Sequence, residues 1–276
     1  PLAITLDTDF DQTRENWVEK PLDYLSAASL SPDGSRVALT ARGQVFVAPK
    51  DSGRLVEVTR KDGVRYRAAR FMPDGKSLVM LSDESGEVEL WSAPADGSAS
   101  PTQLTSDGVV LRWEAIPSPD GAKIAHHDKN QKLWVFDQAT KTSTLVETNP
   151  MDVFQSVAWS ADSRWLAYSS YATNFNRQIR LFETTTGAVT TLTTDRFDST
   201  DVSFSADGKW LYVLSDRNID TSVNSPWGPL QPEPYFDNKT RLFLISLEKN
   251  ARSPFRPADE LFDPRSEERR VGKECR

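Results

Sequence analysis

Five copies of one short turn sequence, spaced at nearly equal intervals, constrain the fold of this chain more than any other feature. The copies occupy residues 31–34, 72–75, 118–121, 160–163 and 205–208. Each has aspartate in third place, and successive aspartates are 41 to 46 residues apart. A repeat of this length is typical of proteins that stack one small supersecondary unit many times.

The residue types in these copies predict tight turns. Proline, present in the first three copies, fixes φ for the first corner of a type I turn. The aspartate can accept hydrogen bonds from its own nearby backbone, and glycine adopts a left-handed conformation at little cost. Ser163 replaces glycine in the fourth copy, so that turn is expected to be strained or differently shaped.

Alternation of apolar and polar residues follows every turn and indicates half-buried strands. The first alternating segments are residues 36–40, 77–81, 123–127, 164–168 and 209–213. The second are residues 44–47, 88–91, 132–135, 178–181 and 241–244. Further strands rich in Thr and Val are predicted at residues 55–58, 102–105, 143–146 and 189–192.

Four antiparallel strands at this period describe one blade of a β-propeller, and a blade buries its faces only against its neighbours. The predicted fold is therefore an all-β propeller of four-stranded antiparallel blades. About five blades are expected, and hence an incomplete ring. We divide the chain into an incoming linker or stray strand (1–22), the partial propeller (23–263) and a tail (264–276) that is expected to be non-native.

The tail reads RSEERRVGKECR from residue 265 and resembles the translation of a sequencing adapter. It contains the only cysteine, Cys275, so disulfides are not expected elsewhere. The chain also begins without Met, and we interpret it as a fragment. The formal net charge is −7, or −9 without the tail, which argues against nucleic acid as a partner. No apolar run approaches the roughly 20 residues of a membrane helix.

Three stretches resemble the tricorn-type serine protease family, in its seven-bladed propeller. Residues 24–34 with 41–46 resemble the opening blade, residues 81–90 the second blade, and residues 235–255 the exit from the fifth blade. The resemblance covers about residues 20 to 260. It implies a large parent peptidase with two propellers, a PDZ-like module and a catalytic region that uses a serine nucleophile and a histidine base.

In that family the catalytic residues lie C-terminal to the segment that this chain matches. The resemblance therefore implies a non-catalytic piece that guides peptide substrates, without a cofactor or metal of its own. Its implied partners are peptides and the PDZ-like and catalytic domains of the parent, which could form a homo-oligomer. The family implies a cytoplasmic location, although a periplasmic one stays open.

Arginines near the first strand of the second and third blades are candidate peptide contacts, because the first strand of a blade lines the central channel. By register, Arg65, Arg67 and Arg112 approach that region. Gln155 and Asp201 do the same in later blades. The simpler interpretation is that these polar side chains are only solvated at the channel rim.

One long segment, residues 215–239, falls outside the repeat. It combines Pro, Asn and Asp with Trp227, Tyr235 and Phe236. Long loops are often functional, so these aromatic residues could dock on a neighbouring domain or on the peptide path. The alternative is a loop that packs over its own blade.

The two histidines, His126 and His127, are consecutive on a predicted strand and should face opposite sides of the sheet. We interpret them as ordinary strand residues, since a catalytic base needs a nucleophile and an orienting acid nearby. No further His or Cys cluster suggests zinc. The turn aspartates are separate from one another and lack the spacing of a calcium loop.

Two other functions remain open from the sequence. A TolB-like periplasmic scaffold would use the same kind of propeller for protein interaction without catalysis. The propeller of a prolyl-oligopeptidase-type enzyme would be followed by a G-x-S-x-G nucleophile elbow.

Overall fold

A computed structural model describes residues 19–217, 240–249 and 251–257. These residues belong to two compact units, which divide between Thr148 and Asn149. Apart from a short 3-10 helix, Pro21–Tyr24, the regular structure of the described residues is β-strand. The all-β fold expected from the repeat is confirmed.

The first unit contains three four-stranded antiparallel sheets, which we number as blades 1 to 3. Blade 1 consists of β1 (Leu25–Leu30), β2 (Arg36–Ala41), β3 (Gln44–Pro49) and β4 (Val56–Glu57). Blade 2 consists of β5 (Tyr66–Phe71), β6 (Ser77–Ser82), β7 (Glu89–Pro94) and β8 (Thr102–Gln103). Blade 3 consists of β9 (Ile116–Pro117), β10 (Lys123–His127), β11 (Lys132–Asp137) and β12 (Thr142–Thr148).

The second unit contains blades 4 and 5. Blade 4 consists of β13 (Gln155–Trp159), β14 (Trp165–Tyr171), β15 (Arg177–Glu183) and β16 (Val189–Thr191). Blade 5 has three strands in the described residues, β17 (Ser199–Phe204), β18 (Trp210–Ser215) and β19 (Arg241–Ser246). In every blade the strands are hydrogen-bonded in chain order, as the repeat predicts.

The turns between the first two strands have the predicted chemistry. In blade 1 the carbonyl of Ser31 accepts the Gly34 amide at 2.8 Å. The Ser31 hydroxyl accepts the Arg36 amide at 2.9 Å and donates to Asp33 at 2.6 Å. The Ser31 carbonyl thus binds the Gly34 amide while its hydroxyl links the Arg36 amide to Asp33, so serine, aspartate and glycine act as one unit. The turn at Ser163 keeps the same backbone bond with φ at +59°, so its strain is confirmed.

Period-two alternation places blade 2 between two apolar clusters. On β6, Leu78 and Met80 pack in a cluster with blade 1 residues, whereas Val79 and Leu81 pack in a cluster with blade 3 residues. All four side chains are buried. A central blade therefore needs apolar residues on both faces, which explains the nearly continuous hydrophobic run of its second strand.

Candidate functional site

Bulges interrupt the first strands of blades 2, 4 and 5. The pairing register shifts in β5, β13 and β17, where Ala68, Ser156 and Asp201 have φ between +48° and +51°. Such a bulge frees a backbone amide from the ladder and re-aims the neighbouring side chains. The conformation costs energy for a residue with a Cβ atom, so the surrounding structure must stabilise it.

Side chains of the preceding blade bind the amides that follow two of these bulges. The Ala69 amide donates to the Thr40 hydroxyl of blade 1 at 3.3 Å. The Val202 amide of blade 5 donates to the Ser156 hydroxyl of blade 4 at 2.7 Å. These bonds satisfy donors that the ladder leaves free and fix the first strand of each of these two blades against the preceding blade.

A cavity of about 740 Å³ opens beside the bulge of β5, where blades 1 and 2 meet. We call it the arginine pocket. The residues that give it chemical character are Tyr24, Ser26, Arg42, Arg65 and Arg67. Arg42 comes from the turn between β2 and β3, and the other two arginines flank the buried Tyr66 at the start of β5.

Gly43 permits the close contact that forms one wall of the arginine pocket. Its carbonyl accepts the Tyr66 amide at 2.8 Å, and its φ is +79°. A Cβ atom at this position would lie 3.3 Å from Cγ of Arg65. The glycine therefore allows the turn of blade 1 to approach the backbone of blade 2.

Positive charge in the arginine pocket is only partly compensated. Burial and the nearby charge of Arg65 lower the pKa of Arg67, and Asp83 partly offsets both effects. The guanidinium of Arg42 lies 5.0 Å from the ring centroid of Tyr24. An anion between Arg65 and Arg67 would relieve their repulsion, because it attracts both charges.

The nearest acidic side chains are already engaged in structural bonds. Asp83 accepts the backbone amide of Arg65 at 2.8 Å. Glu84 accepts the Tyr66 hydroxyl at 2.5 Å and lies 2.6 Å from the ammonium of Lys61. These bonds hold the strand that carries the arginines.

Arg112 occupies a different environment from Arg65 and Arg67. Its side chain is buried, 3.2 Å from Glu89 and 2.7 Å from Asp107. It also donates to the Thr105 hydroxyl at 3.0 Å. Its backbone carbonyl accepts Nη2 of Arg67 at 3.1 Å. Arg112 therefore supports Arg67 through its main chain, while its own charge is paired with Glu89 of blade 2 and with Asp107.

Strand parity explains this difference. Counting back from the turn, Arg112 takes the place that Tyr66 has in blade 2, and both side chains are buried. Arg65 and Arg67 lie on either side of that position, so they point the other way. The sequence-based prediction grouped Arg112 with Arg65 and Arg67 as a candidate peptide contact, because it did not consider which face of the strand each residue occupies. It also missed Tyr24 and Arg42. The Arg-Gly pair in the turn after β2 was the available signal for Arg42.

The other predicted contacts are placed as follows. Gln155 and Asp201 lie on β13 and β17 in the second unit, where Gln155 accepts a bond from Arg177 at 3.0 Å. Trp227, Tyr235 and Phe236 lie outside the described residues. Their role in docking stays a prediction.

His126 and His127 are buried strand residues of β10. Neither ring nitrogen of His126 has a hydrogen-bond partner. Burial, together with the charge of Arg112, lowers the pKa of His126 to about 3, so the ring is neutral near pH 7. Burial also lowers the pKa of His127. An uncharged imidazole enclosed in this way packs as part of the sheet.

Within the described ranges, no three His, Cys, Asp or Glu side chains are grouped so that they could hold a metal ion. The helical structure described there contains no segment with the length and apolar character needed to cross a membrane. The arginine pocket brings three arginines, Arg42, Arg65 and Arg67, together around one cavity.

Comparison with protein families gives a match over most of the chain. Residues 25–274 match the family described as the tricorn protease second β-propeller domain. The match runs into the segment that we set aside as a tail. With the five separate sheets, it supports the incomplete propeller predicted from the repeat.

Curated relatives have similar sequences along nearly the whole chain. The tricorn protease homolog of Saccharolobus solfataricus is 28% identical over 94% of this chain. Tricorn protease homolog 1 of Streptomyces coelicolor is 30% identical over 83% of it. The chain spans only about a quarter of the length of these relatives, 23% of the Saccharolobus protein and 22% of the Streptomyces protein.

Solved structures share the fold at low sequence identity. The crystal structure of the tricorn protease superposes with a TM-score of 0.72 over 89% of this chain and 23% of that chain, at 18% identity. TolB from Acinetobacter baumannii superposes with a TM-score of 0.52 over 69% of this chain and 50% of that chain, at 19% identity.

Proposed function

The chain belongs to the tricorn protease family, through its second β-propeller domain, and from this premise we propose that it guides peptide substrates toward a catalytic region elsewhere in a parent serine peptidase. In this proposal none of its own residues performs the chemistry, and it needs no cofactor. Its partners are peptides and the PDZ-like and catalytic domains of the parent, which assembles as a homo-oligomer in the cytoplasm.

The arginine pocket is the observation that carries this proposal. Arg42, Arg65 and Arg67 line a cavity wide enough for several side chains, and Tyr24 adds an aromatic surface. Peptides carry carboxylates on acidic side chains and at the C-terminus, and guanidinium groups bind carboxylates in a bidentate manner. The positive charges of Arg65 and Arg67 are only partly offset by nearby acidic groups, so they favour the binding of a carboxylate.

A guiding surface needs moderate affinity, because bound peptides must move on. The arginine pocket is open to solvent around Arg42 and Arg65, where charge pairs are weakened by water and salt. This exposure suits transient contact better than tight capture.

Peptide binding to the whole chain tests the proposal. We expect the acetylated pentapeptide Ala-Glu-Phe-Glu-Ala to bind in isothermal titration calorimetry, more weakly as salt rises. The double variant Arg65→Gln/Arg67→Gln should weaken binding about tenfold or more, since two partly exposed charge pairs of up to about 1 kcal/mol each are lost.

The matched control is Arg70→Gln. Arg70 also lies on β5 and is paired with Glu114 at 3.5 Å, but it does not line the arginine pocket. Its replacement should leave peptide binding unchanged. Equal binding by the double variant and the unmodified chain would refute the role of the arginine pocket.

A scaffold function is the second candidate, because TolB shares the fold and a TolB homolog of Chlorobium chlorochromatii is 26% identical over 79% of this chain. A scaffold predicts capture of a folded protein instead of short peptides, and a periplasmic location. Absence of peptide binding together with a stable complex with a folded partner would favour it. The propeller of a prolyl-oligopeptidase-type enzyme stays an alternative that a downstream G-x-S-x-G sequence would support.

A further inference from the structure

Two junctions between neighbouring blades share a carbonyl, an aromatic ring and an acidic residue, but only the first contains an arginine between them. The first lies between blades 1 and 2 in the first unit, and the second between blades 4 and 5 in the second unit. In each, the turn after the first strand of one blade faces the corresponding turn of the next. Because the blades are copies of one repeat, the first junction serves as a template for the second.

An arginine of the chain fills the first junction. Arg36, the first residue of β2, donates through Nη2 to the carbonyl of Gly75. Its guanidinium lies 5.4 Å from the ring centroid of Phe71. Hydrogen bonds from Ser98 lower the pKa of Asp96, and the charge of Arg36 adds to this lowering. One guanidinium thus contacts a carbonyl and an aromatic ring, with a carboxylate in the vicinity.

The second junction repeats these three groups. Phe204 ends β17 as Phe71 ends β5. Gly208 has a φ of +70°, close to the +64° of Gly75. Glu248 follows β19 at the position where Asp96 follows β7. The amides just before the two acids make matching bonds, from Ala95 to the Lys76 carbonyl and from Leu247 to the Lys209 carbonyl.

The arginine itself is replaced in the second junction. Trp165, the first residue of β14, takes the position of Arg36, five residues after the turn serine. The turn proline is also replaced, by Ala161. In the first junction, Cδ of Pro32 lies 3.6 Å from where a Cβ atom of Gly75 would be, whereas nothing lies within 4 Å of that point on Gly208.

A cleft of about 530 Å³ lies in the second junction, and we call it the guanidinium cleft. Its floor is apolar, formed by Trp165, Leu181 and Phe204. Its rim carries Asp162, Asp207 and Glu248. Hydrogen bonds from Ser160 and Ser205 lower the pKa values of the two aspartates, so both are charged near pH 7.

Two basic residues close to the guanidinium cleft already have acidic partners. Arg164 stacks on Trp165 at 4.9 Å, but its Nε donates to Glu183 at 2.8 Å. Lys209 lies 3.9 Å from Glu248 at an exposed position. Neither lines the guanidinium cleft. The stacking of Arg164 also shows that the Trp165 indole accepts a guanidinium.

We propose that the guanidinium cleft binds an arginine side chain of a peptide, in the manner in which the first junction holds Arg36. The aliphatic stem would pack on Trp165 and Phe204, and the guanidinium would meet the Gly208 carbonyl and Glu248. Arginine is favoured over lysine because its planar group stacks on aromatic rings and donates in several directions. This site is separate from the arginine pocket and opposite in charge.

Titration of the whole chain with three peptides tests whether the guanidinium cleft prefers an arginine side chain. The peptides are N-acetyl-Gly-Arg-Gly-amide and its lysine and citrulline counterparts, measured by isothermal titration calorimetry. We expect the arginine peptide to bind about tenfold more tightly than the lysine peptide, and citrulline, which lacks the charge, to bind least. Equal binding of arginine and citrulline, or no binding of any peptide, would overturn the proposal.

The variant Trp165→Arg tests the site. It restores the residue found in the first junction, so its guanidinium should fill the cleft and reduce binding of the arginine peptide about tenfold or more. Unchanged binding in a folded Trp165→Arg protein would contradict the proposal. If this variant does not fold, Glu248→Gln tests the site instead, and it is expected to weaken binding of the arginine peptide several-fold. Glu57→Gln, an exposed carboxylate of blade 1, is the matched control and should bind as the unmodified chain does.

Discussion

Arg112 and the pair Arg65 and Arg67 are arginines at neighbouring places in two copies of the same repeat, yet their surroundings differ. Arg112 is buried between Glu89 and Asp107, at 3.2 and 2.7 Å. Arg65 and Arg67 line an open pocket and repel each other. The difference shows that one step along a strand decides whether a charge stabilises a blade or remains available to a ligand.

The largest effect is expected from Arg112→Met. This change leaves Glu89 buried without its cation, and breaking a buried pair in this way typically costs about 3–5 kcal/mol. Urea unfolding followed by tryptophan fluorescence should show this loss. Arg70→Met is the matched control, because the Arg70–Glu114 pair is exposed and such pairs contribute only about 0–1 kcal/mol. Equal losses in the two variants would remove the distinction between buried and exposed arginines.

The pH dependence of stability should show the next largest effect. The folded-state pKa of His126 is about 3, below its ordinary value of 6.5. The unfolded chain therefore binds a proton that the folded chain does not, and stability falls as pH drops below about 6.5. Between pH 7 and pH 5 the free energy of unfolding should fall by roughly 2 kcal/mol, at most 1.36 kcal/mol per pH unit.

Replacement of the histidine separates this effect from general acid destabilisation. Arg112, Asp107 and His127 are the charged and titratable neighbours that act on His126. His126→Leu should make the unfolding free energy less dependent on pH between 5 and 7, even if it changes stability at pH 7. The same slope in both proteins would mean that another group, such as His127, is responsible.

The smallest effect is expected at the bulge beside the arginine pocket. Ala68 has φ at +51°, and relief of this conformation in Ala68→Gly should raise the free energy of unfolding by roughly 1 kcal/mol. Thermal or urea unfolding measures the change. Ala69→Gly, one residue further along β5 and buried, is the matched control and should destabilise. A lower free energy of unfolding in both variants would show that the bulge is not under strain.

Much of the fold could be predicted from the residues. The positions of the five turns and of the strands that follow them come from a recurring aspartate flanked by turn-forming residues and from period-two alternation, both of which act locally. The strain at Ser163 could also be predicted, because it follows from serine standing where the other copies of the turn have glycine. The site was predicted less completely, since Arg42 and Tyr24 reach the arginine pocket from blade 1 and only strand packing brings them to Arg65.

The sequence alone determined that this chain is a repeat of small antiparallel sheets, because turn chemistry and alternation depend on residues only a few positions apart. Tertiary structure alone decided which arginines are neutralised and which junction is filled. Glu89 meets Arg112 across strands 23 residues apart, and Arg36 reaches Gly75 across 39 residues. Electrostatic and packing energies depend on such distances in space, and only the folded chain sets them.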